Sequence, residues 1–183
     1  IVARVLFFIV FLIVSPIYLL ISIVIVIDDG FPIFFKQKRI GLNNKPFMIY
    51  KFRTMKTQTP NMATHLLNNP ERYFTDCGPF LRKFSLDEIP QVFNLLKNNI
   101  ALIGPRPALY NQYDLISRRT KLGIHKIMPG LTGWAQINGR DSLSIDEKIS
   151  YDLYYLKNKS LWLNIKIIWY TILKVVKADD VSV

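Results

Sequence analysis

The strongest feature of the hydrophobic pattern is an apolar run over residues 1–27, whose clear interruptions are Arg4, Ser15, Pro16 and Ser22. A helix over this run would be about 40 Å long, which exceeds the roughly 30 Å of a bilayer's hydrocarbon core. The run is longer than the apolar part of a signal peptide, and no small-residue cleavage site follows it. The pattern therefore predicts a membrane-anchoring helix over residues 1–29.

Pro16 lies near the middle of this run and leaves two topologies open. It cannot donate a hydrogen bond to the carbonyl of Leu12, so a kink is expected there. Hydropathy alone favours a kinked single span, because proline is common in membrane helices. The alternative is a re-entrant hairpin that turns at Ser15-Pro16 and returns to the same face. The basic residues after the segment place its C-terminal side in the cytoplasm, but charge does not decide between the two topologies.

A second amphipathic segment covers residues 161–176. Its asparagine and lysines are too frequent for another membrane span. Trp162 and Trp169, seven residues apart, share one helical face and suit the headgroup boundary. The segment is either an interfacial helix or an ordinary buried C-terminal helix.

Residues 30–183 contain no repeats and predict one small domain with short strands. Period-two alternation predicts a strand over residues 47–54, with Lys51 and Arg53 on one face. Helices are predicted over residues 80–84, 89–96 and 146–156. The chain is therefore expected to combine an anchoring helix over 1–29 with a helix-rich α+β domain over 30–183.

The composition indicates that the charged residues and the hydrophobic residues are concentrated in different parts of the chain. The 183 residues include 24 Lys+Arg and 13 Asp+Glu, which give a net charge of +11, yet the mean hydropathy is +0.19. A soluble nucleic-acid binder with this charge is normally hydrophilic, so nucleic acid is not the expected partner. The single cysteine, Cys77, excludes an intramolecular disulfide and fits a reducing, cytosol-facing location.

The adjacent acids Asp87 and Glu88 have two interpretations. Ser85 and Glu88 match a capping box, but Pro90 would then lie inside the helix and cost about 3 kcal/mol against a cap gain of about 1 kcal/mol. A helix that begins with Asp87 as its cap removes this conflict and sets both carboxylates near Arg82, where they stay ionised. Ionised carboxylates beside cations can hold Mg²⁺, and one of them can attack phosphorus.

Basic residues fall at four other places. Arg106 lies between two prolines that fix the backbone and preorganise its guanidinium for phosphate, although a plain surface turn explains the pattern equally well. Arg140 closes a loop whose three glycines would let backbone N–H groups approach a ligand. Lys51 and Arg53 alone are typical of a solvated strand face. Together with an acidic pair and an anchor, these residues favour a phosphate-handling site.

Four ordered segments carry a family resemblance. They are Lys51-Phe52-Arg53-Thr54-Met55, residues 80–91, Gly104-Pro105-Arg106-Pro107 and residues 129–140. With an apolar N-terminal segment broken by Ser-Pro, they resemble the signature blocks of the bacterial sugar transferase family, the monotopic phosphoglycosyl transferases. The resemblance implies transfer of a phosphosugar from a UDP-sugar to undecaprenyl phosphate at the cytoplasmic face of the bacterial inner membrane. Membrane lipid and downstream glycosyltransferases would be further partners.

The resemblance also implies residue roles. Asp87 would be the nucleophile and a Mg²⁺ ligand, and Glu88 would be its partner in the dyad. The implied substrate-binding residues are Arg82 and Arg106, which would hold phosphates or the nucleotide, with Lys51, Arg53, Thr54 and Arg140 as further contributors. The chain departs from the family at Asn99 and Asn164, where the family often has an acid.

A rival hypothesis is a membrane-anchored basic adaptor that binds anionic lipid or nucleic acid and does no chemistry. It explains the charge and the anchor, but it gives no reason for an acidic pair among cations. Neutralising Asp87 and Glu88 would preserve or strengthen an adaptor's binding.

The resemblance favours the hairpin, so we predict that both ends of residues 1–27 lie on the cytoplasmic face. Single cysteines placed before Val5 and after Asp29, in a Cys77→Ser background, should resist a membrane-impermeant thiol reagent added from the periplasm. Periplasmic labelling of the upstream cysteine would establish a true span instead.

Overall fold

The structure, a computed structural model, describes residues 2–60, 69–139 and 142–177, with side chains from Ser15 onward. In chain order its helices and strands are α1 (Val2–Asp29), β1 (Phe34–Ile40), β2 (Pro46–Phe52), α2 (Gly78–Lys83), α3 (Val92–Leu96), β3 (Ala101–Ile103), β4 (Ala108–Leu109), α4 (Tyr113–Lys121), β5 (Gly130–Thr132), α5 (Trp134–Ile137), α6 (Ile145–Asn158) and α7 (Leu161–Lys177). This mixture of helices and short strands confirms the predicted helix-rich fold class.

Helix α1 continues through Pro16 as one helix of 28 residues. No helix within the described residues is both long and apolar enough to cross a membrane. The re-entrant topology therefore stays a prediction.

One face of α1 packs against the domain. Ile21 and Ile25 are buried in a cluster with Phe52 of β2 and Leu81 of α2. The ring of Tyr18 lies 4.8 Å from that of Phe52, centroid to centroid. Each fully buried side chain of this size contributes about 1.5–3 kcal/mol, so the cluster holds α1 on the sheet.

Polar contacts fix the end of α1. The Asp28 carboxylate accepts hydrogen bonds from the backbone N–H groups of Cys77 (2.8 Å) and Asp76 (3.2 Å), just before α2 begins. The next carboxylate, that of Asp29, pairs with Arg53 at 2.8 Å. The last turn of α1 is thus tied to two different segments of the domain.

Strand β1 is the centre of a three-stranded antiparallel sheet with the order β2-β1-β4. It pairs with β2 along its full length, from Phe34 opposite Phe52 to Ile40 opposite Pro46. A separate parallel pair, β3 with β5, sets Ile103 opposite Thr132. The predicted strand over residues 47–54 is confirmed as β2.

Glycines let the β3 and β5 segments meet at backbone distance. A Cβ on Gly130 would lie 2.1 Å from the nitrogen of Gly104, and one on Gly133 would lie 2.1 Å from the Gly104 oxygen. Real side chains do not tolerate such distances. The expectation that Gly130 and Gly133 make room for a ligand was therefore wrong: they make room for another chain segment.

The predicted helices at residues 80–84 and 146–156 are confirmed as α2 and α6. The segment after α2 differs from its prediction, because a 3-10 helix, Leu86–Gln91, precedes α3. Its preceding residue, Ser85, has φ 53° and makes no side-chain cap hydrogen bond. Asp87 lies inside the 3-10 helix and does not cap an α-helix. Both expected caps were wrong, since Ser85 adopts a left-handed conformation without a cap hydrogen bond and the 3-10 helix includes Pro90.

Helix α7 combines the two alternatives left open for the C-terminal segment. Leu163 and Ile167 are buried in a cluster with Tyr155 of α6. The apolar residues of the other side face outward, and Trp162 and Trp169 are 76% and 60% exposed. The helix is therefore partly a core element and partly an exposed apolar surface.

Asn99 and Asn164, the two residues that depart from the family pattern, each supply a hydrogen-bond acceptor oxygen. Asn164 accepts a hydrogen bond from the hydroxyl of Tyr155 at 3.0 Å. Asn99 accepts one from the side-chain amide of the buried Asn94 at 3.3 Å. An amide oxygen at these positions fills the structural role that a carboxylate oxygen would have.

Cys77 gives a test of the contact between α1 and α2. Burial raises the pKa of its thiol to about 11, and the neighbouring Asp28 adds to the rise. The folded protein thus retains a proton that the unfolded chain loses near pH 9.0. The stability due to this group is complete below pH 9.0 and is lost as the pH rises through about 11.

We expect the alkylation rate of Cys77 by iodoacetamide to keep rising, about tenfold per pH unit, up to about pH 11 in the folded protein. In urea the rate should level off near the ordinary thiol pKa. A folded-state rate that levels off near pH 9 would contradict the buried contact with Asp28.

Candidate active site

Two adjacent carboxylates share one ammonium group at the centre of the site. The 3-10 helix Leu86–Gln91 presents Asp87 and Glu88 towards β2, which supplies Lys51. Lys51 Nζ lies 2.8 Å from Asp87 Oδ2 and 2.9 Å from Glu88 Oε1. Asp87 is only 5% exposed. Buried carboxylates need such partners, because an unpaired charge loses its hydration without compensation.

The loop between β3 and β4 brings a second cation to the pair. Arg106 Nη2 lies 3.2 Å from Glu88 Oε1. Glu88 therefore contacts both a lysine and an arginine, whereas Asp87 contacts the lysine. These two ion pairs come from β2 and from a loop that follows the acids, so both cations are distant from Asp87 and Glu88 in the sequence.

Asn94 of α3 holds the strand that carries Lys51. Its side-chain oxygen accepts from the backbone N–H of Tyr50 at 3.0 Å, and its amide donates to the carbonyl of Met48 at 2.7 Å. The side chain is fully buried. These two bonds fix the register between β2 and the chain segment that carries the acids.

Arg82 and Thr54 form a neighbouring pair. Arg82 Nε donates to Thr54 Oγ1 at 2.9 Å, and its guanidinium lies over the ring of Phe74, 4.8 Å from the centroid. Stacking on an aromatic face and a hydrogen bond through Nε fix the plane of a guanidinium. Both residues lie next to elements of the site, since Arg82 is on the helix just before the acids and Thr54 follows β2.

Arg53 is directed elsewhere. Its guanidinium pairs with the Asp29 carboxylate at 2.8 Å and donates to the carbonyls of Asp29 (2.9 Å) and Gly30 (2.7 Å). The residue is 4% exposed. The structure thus places Arg53 at the end of α1, and Lys51 at the acids. Arg140, the last of the predicted site residues, lies outside the described residues.

The oxygen atoms of the acids suit a hard cation, because both carboxylates already converge on one positively charged nitrogen. Magnesium is usually held by one or two carboxylates together with substrate phosphates and water. Among the described residues, no group of three or more His, Cys, Asp or Glu is arranged to hold a metal ion.

Sequence reasoning missed a buried ion pair close to the site, Arg119 of α4 with Asp152 of α6. Arg119 Nε and Nη2 lie 2.9 Å and 2.5 Å from Asp152 Oδ2. A signal for it exists in the sequence, because Asp152 falls on the same helical stripe as the buried Ile149 and Tyr155. A carboxylate on an apolar stripe requires a buried partner.

Comparisons with known proteins show the family of the chain. A sequence profile described as bacterial sugar transferase matches residues 1–178. The protein named "Uncharacterized sugar transferase EpsL", from Bacillus subtilis, is 41% identical over 92% of this chain and 82% of its own length. Two longer relatives are the UDP-glucose:undecaprenyl-phosphate glucose-1-phosphate transferase of Escherichia coli, 37% identical over 89% of this chain, and the UDP-N-acetylgalactosamine-undecaprenyl-phosphate N-acetylgalactosaminephosphotransferase of Aeromonas hydrophila, 36% identical over 86% of it.

The chain spans only 37% and 38% of the lengths of these two named transferases. The profile match nevertheless covers all four segments on which the family resemblance rests, including the acids and both cations that contact them. The chain belongs to the bacterial sugar transferase family.

Proposed function

We propose that this protein transfers a phosphosugar from a UDP-sugar to undecaprenyl phosphate and releases UMP, as the first membrane step of glycoconjugate assembly. The observation that carries the proposal is the acidic pair of the buried Asp87 and the partly buried Glu88, which form ion pairs with Lys51 and Arg106. Two relatives are named for this class of reaction.

In the first half-reaction, a carboxylate oxygen of Asp87 attacks the phosphorus that bears the sugar. An O–P bond forms to Asp87 as the bond from that phosphorus to the bridging oxygen breaks, and the electron pair leaves with UMP. A carboxylate is a weak nucleophile, so its orientation and the neutralisation of the phosphate charge have to lower the barrier. Lys51 and Arg106 are the cations placed to do so.

In the second half-reaction, a phosphate oxygen of undecaprenyl phosphate attacks the same phosphorus. The O–P bond to Asp87 breaks, its electron pair returns to the carboxylate, and the lipid leaves with a sugar diphosphate. The two steps allow the soluble nucleotide to depart before the lipid phosphate takes its place. Glu88 keeps Lys51 and Arg106 next to the reacting carboxylate throughout.

Arg82, with its plane fixed by Thr54 and Phe74, is a further candidate to hold a phosphate of the donor. We assign Arg53 to the attachment of α1, because its hydrogen-bonding groups already face the helix end. When bound, Mg²⁺ would neutralise charge on the diphosphate, and the acids would hold it, Asp87 first.

The two ends of the chain suit a site at a membrane surface. The outward apolar side of α7 carries two exposed tryptophans, which favour the headgroup region, and Lys174 and Lys177 lie in its last turn. A net charge of +11 attracts anionic headgroups and both anionic substrates. We therefore place the protein at the cytoplasmic face of the inner membrane, where its lipid product can pass to downstream glycosyltransferases.

The adaptor hypothesis is not favoured. A surface that only binds anionic lipid gains nothing from two carboxylates that bind its own cations. Family membership also points to a transferase.

Asp87→Asn is predicted to abolish UMP release, by about 10⁴-fold or more, because the amide is not a competent nucleophile. A panel of UDP-sugars with Mg²⁺ and polyprenyl phosphate first identifies the donor. Without acceptor, the wild-type protein should become labelled by a donor radioactive in its sugar, and Asp87→Asn should not. Initial rates should follow ping-pong kinetics.

Glu88→Gln is the matched control, since it keeps the shape of the neighbouring side chain and should weaken but not eliminate labelling. Sequential kinetics together with an active Asp87→Asn variant would overturn the covalent mechanism.

Arg106→Lys and Arg53→Lys should have opposite effects. Arg106→Lys is expected to lower turnover about 100-fold with little change in the melting temperature, because lysine cannot copy two-point phosphate binding. Arg53→Lys should lower the free energy of unfolding by about 2 kcal/mol, since lysine cannot satisfy three acceptors at the end of α1. Thermal melts and UMP release measured on both variants separate the two roles. Loss of turnover without loss of stability in Arg53→Lys would return Arg53 to the substrate site.

A further inference from the structure

The backbone of the loop that carries Arg106 is held by two other arginines. Arg119 Nη1 donates to the carbonyl oxygen of Arg106 at 2.8 Å. Arg39 Nη1 donates to the carbonyl oxygen of the next residue, Pro107, at 3.1 Å. These two hydrogen bonds thus restrain the backbone of the loop, while the side chain of Arg106 extends to Glu88.

Arg119 is itself fixed by a buried charge. Its Nε and Nη2 both bond Asp152 Oδ2, and the third nitrogen, Nη1, is the one that reaches the Arg106 carbonyl. Arg119 is 9% exposed and Asp152 is 1% exposed. One planar guanidinium therefore connects a buried carboxylate on α6 to the backbone of a site residue.

A cavity lies against this loop. The cavity is lined by Pro105, Arg106, Pro107, Arg119 and His125, among others. Beside this cavity, the hydrogen bonds from Arg119 and Arg39 add to the bond from the Gly130 N–H to the Pro105 carbonyl in restraining the loop.

The energetic cost of the pair indicates a role beyond stability. Removing two charges from water costs several kcal/mol per ion, and well-packed apolar residues of similar volume often stabilise a fold as much or more. A hydrophobic pair could join α4 to α6, but it could not donate to the Arg106 carbonyl. Lysine could pair with Asp152, but its single nitrogen lacks the rigid fork that reaches both acceptors.

We propose that Arg119, anchored by Asp152, is a positioning residue that holds the backbone of Arg106 so that its guanidinium stays against Glu88. The consequence for catalysis rests on the proposed function. The positioning itself does not, because it concerns contacts within the chain.

A double-mutant cycle tests the catalytic consequence. Arg119→Lys should lower kcat/KM for the UDP-sugar about 100-fold, since a shift of about 1 Å in a binding group can have that effect. In an Arg106→Ala background the same substitution should change kcat/KM less than threefold, because the side chain that it positions is gone. Losses that multiply in the double variant would overturn the proposal.

Arg118→Lys is the matched control for the cycle. This neighbour of Arg119 on α4 is half-exposed and pairs with the exposed Asp114 and Asp146, so its substitution should leave kcat/KM within a factor of two. Asp152→Asn is a second test variant, because it keeps the side-chain volume and one acceptor oxygen. Thermal melts accompany each variant, and if both Arg119→Lys and Asp152→Asn unfold, the pair is structural and the proposal fails.

A spectroscopic readout separates this proposal from the proposed function. In protein labelled with ¹⁵N-arginine, the Nε–H signal of Arg106 is assigned by its loss in Arg106→Lys. It should shift and narrow in Arg119→Lys, as the guanidinium leaves Glu88, and stay in place in Arg118→Lys. An unchanged signal in Arg119→Lys would overturn the positioning role. A wild-type protein without turnover would contradict only the proposed function, and the signal would still decide the positioning role.

Discussion

Two carboxylates on consecutive residues repel each other, and withdrawing them from water is costly unless cations pair with them. This constraint governs the fold around Asp87 and Glu88. Lys51 lies 36 residues before Asp87, and Arg106 lies 18 residues after Glu88. Strand β2 and the β3–β4 loop therefore have to converge on the 3-10 helix. The Asn94 bonds to β2 and the close contact of Gly104 with Gly130 serve this convergence.

The arginines around the site have different roles, which follow from what each guanidinium contacts. Arg106 turns its side chain to the acids. Arg53 and Arg119 bind backbone carbonyls and one carboxylate each, so they restrain chain segments rather than present charge to a ligand. Arg82 has its plane fixed by a ring and a hydroxyl. A planar group with five donors can serve all of these roles, which helps explain the frequency of arginine near this site.

The sequence allowed prediction of those features that depend on neighbouring residues. The period-two alternation of residues was sufficient to predict β2, and helical periodicity was sufficient to predict α2 and α6. The family resemblance brought the acids, Lys51 and Arg106 into one hypothesis. Contacts between distant residues were not predictable in this way. Nothing local distinguishes Lys51, which faces the acids, from Arg53, which faces α1, because the difference lies in where α1 ends.

The failed predictions have the same origin. Ser85 satisfies the capping pattern, but the turn from α2 forces it into a left-handed conformation. Gly130 and Gly133 have the composition of a ligand loop, but the parallel strand pair brings Gly104 against them. In each case tertiary structure overrode a correct local preference.

The attachment of α1 has a consequence for where chemistry can occur. Asp28 and Asp29 join the helix end to the segment before α2 and to Arg53, and the residue after Arg53 is Thr54, which contacts Arg82. Within residues 15–60 and 69–139, where the structure describes side chains, these contacts join the end of α1 directly to the site. Under the proposed function, with α1 seated in a bilayer, the depth of the helix would set the height of the carboxylates above the lipid phosphates. An α1 of different length, exchanged between relatives at this joint, would then move the site relative to the lipid acceptor even if every residue of the site were unchanged.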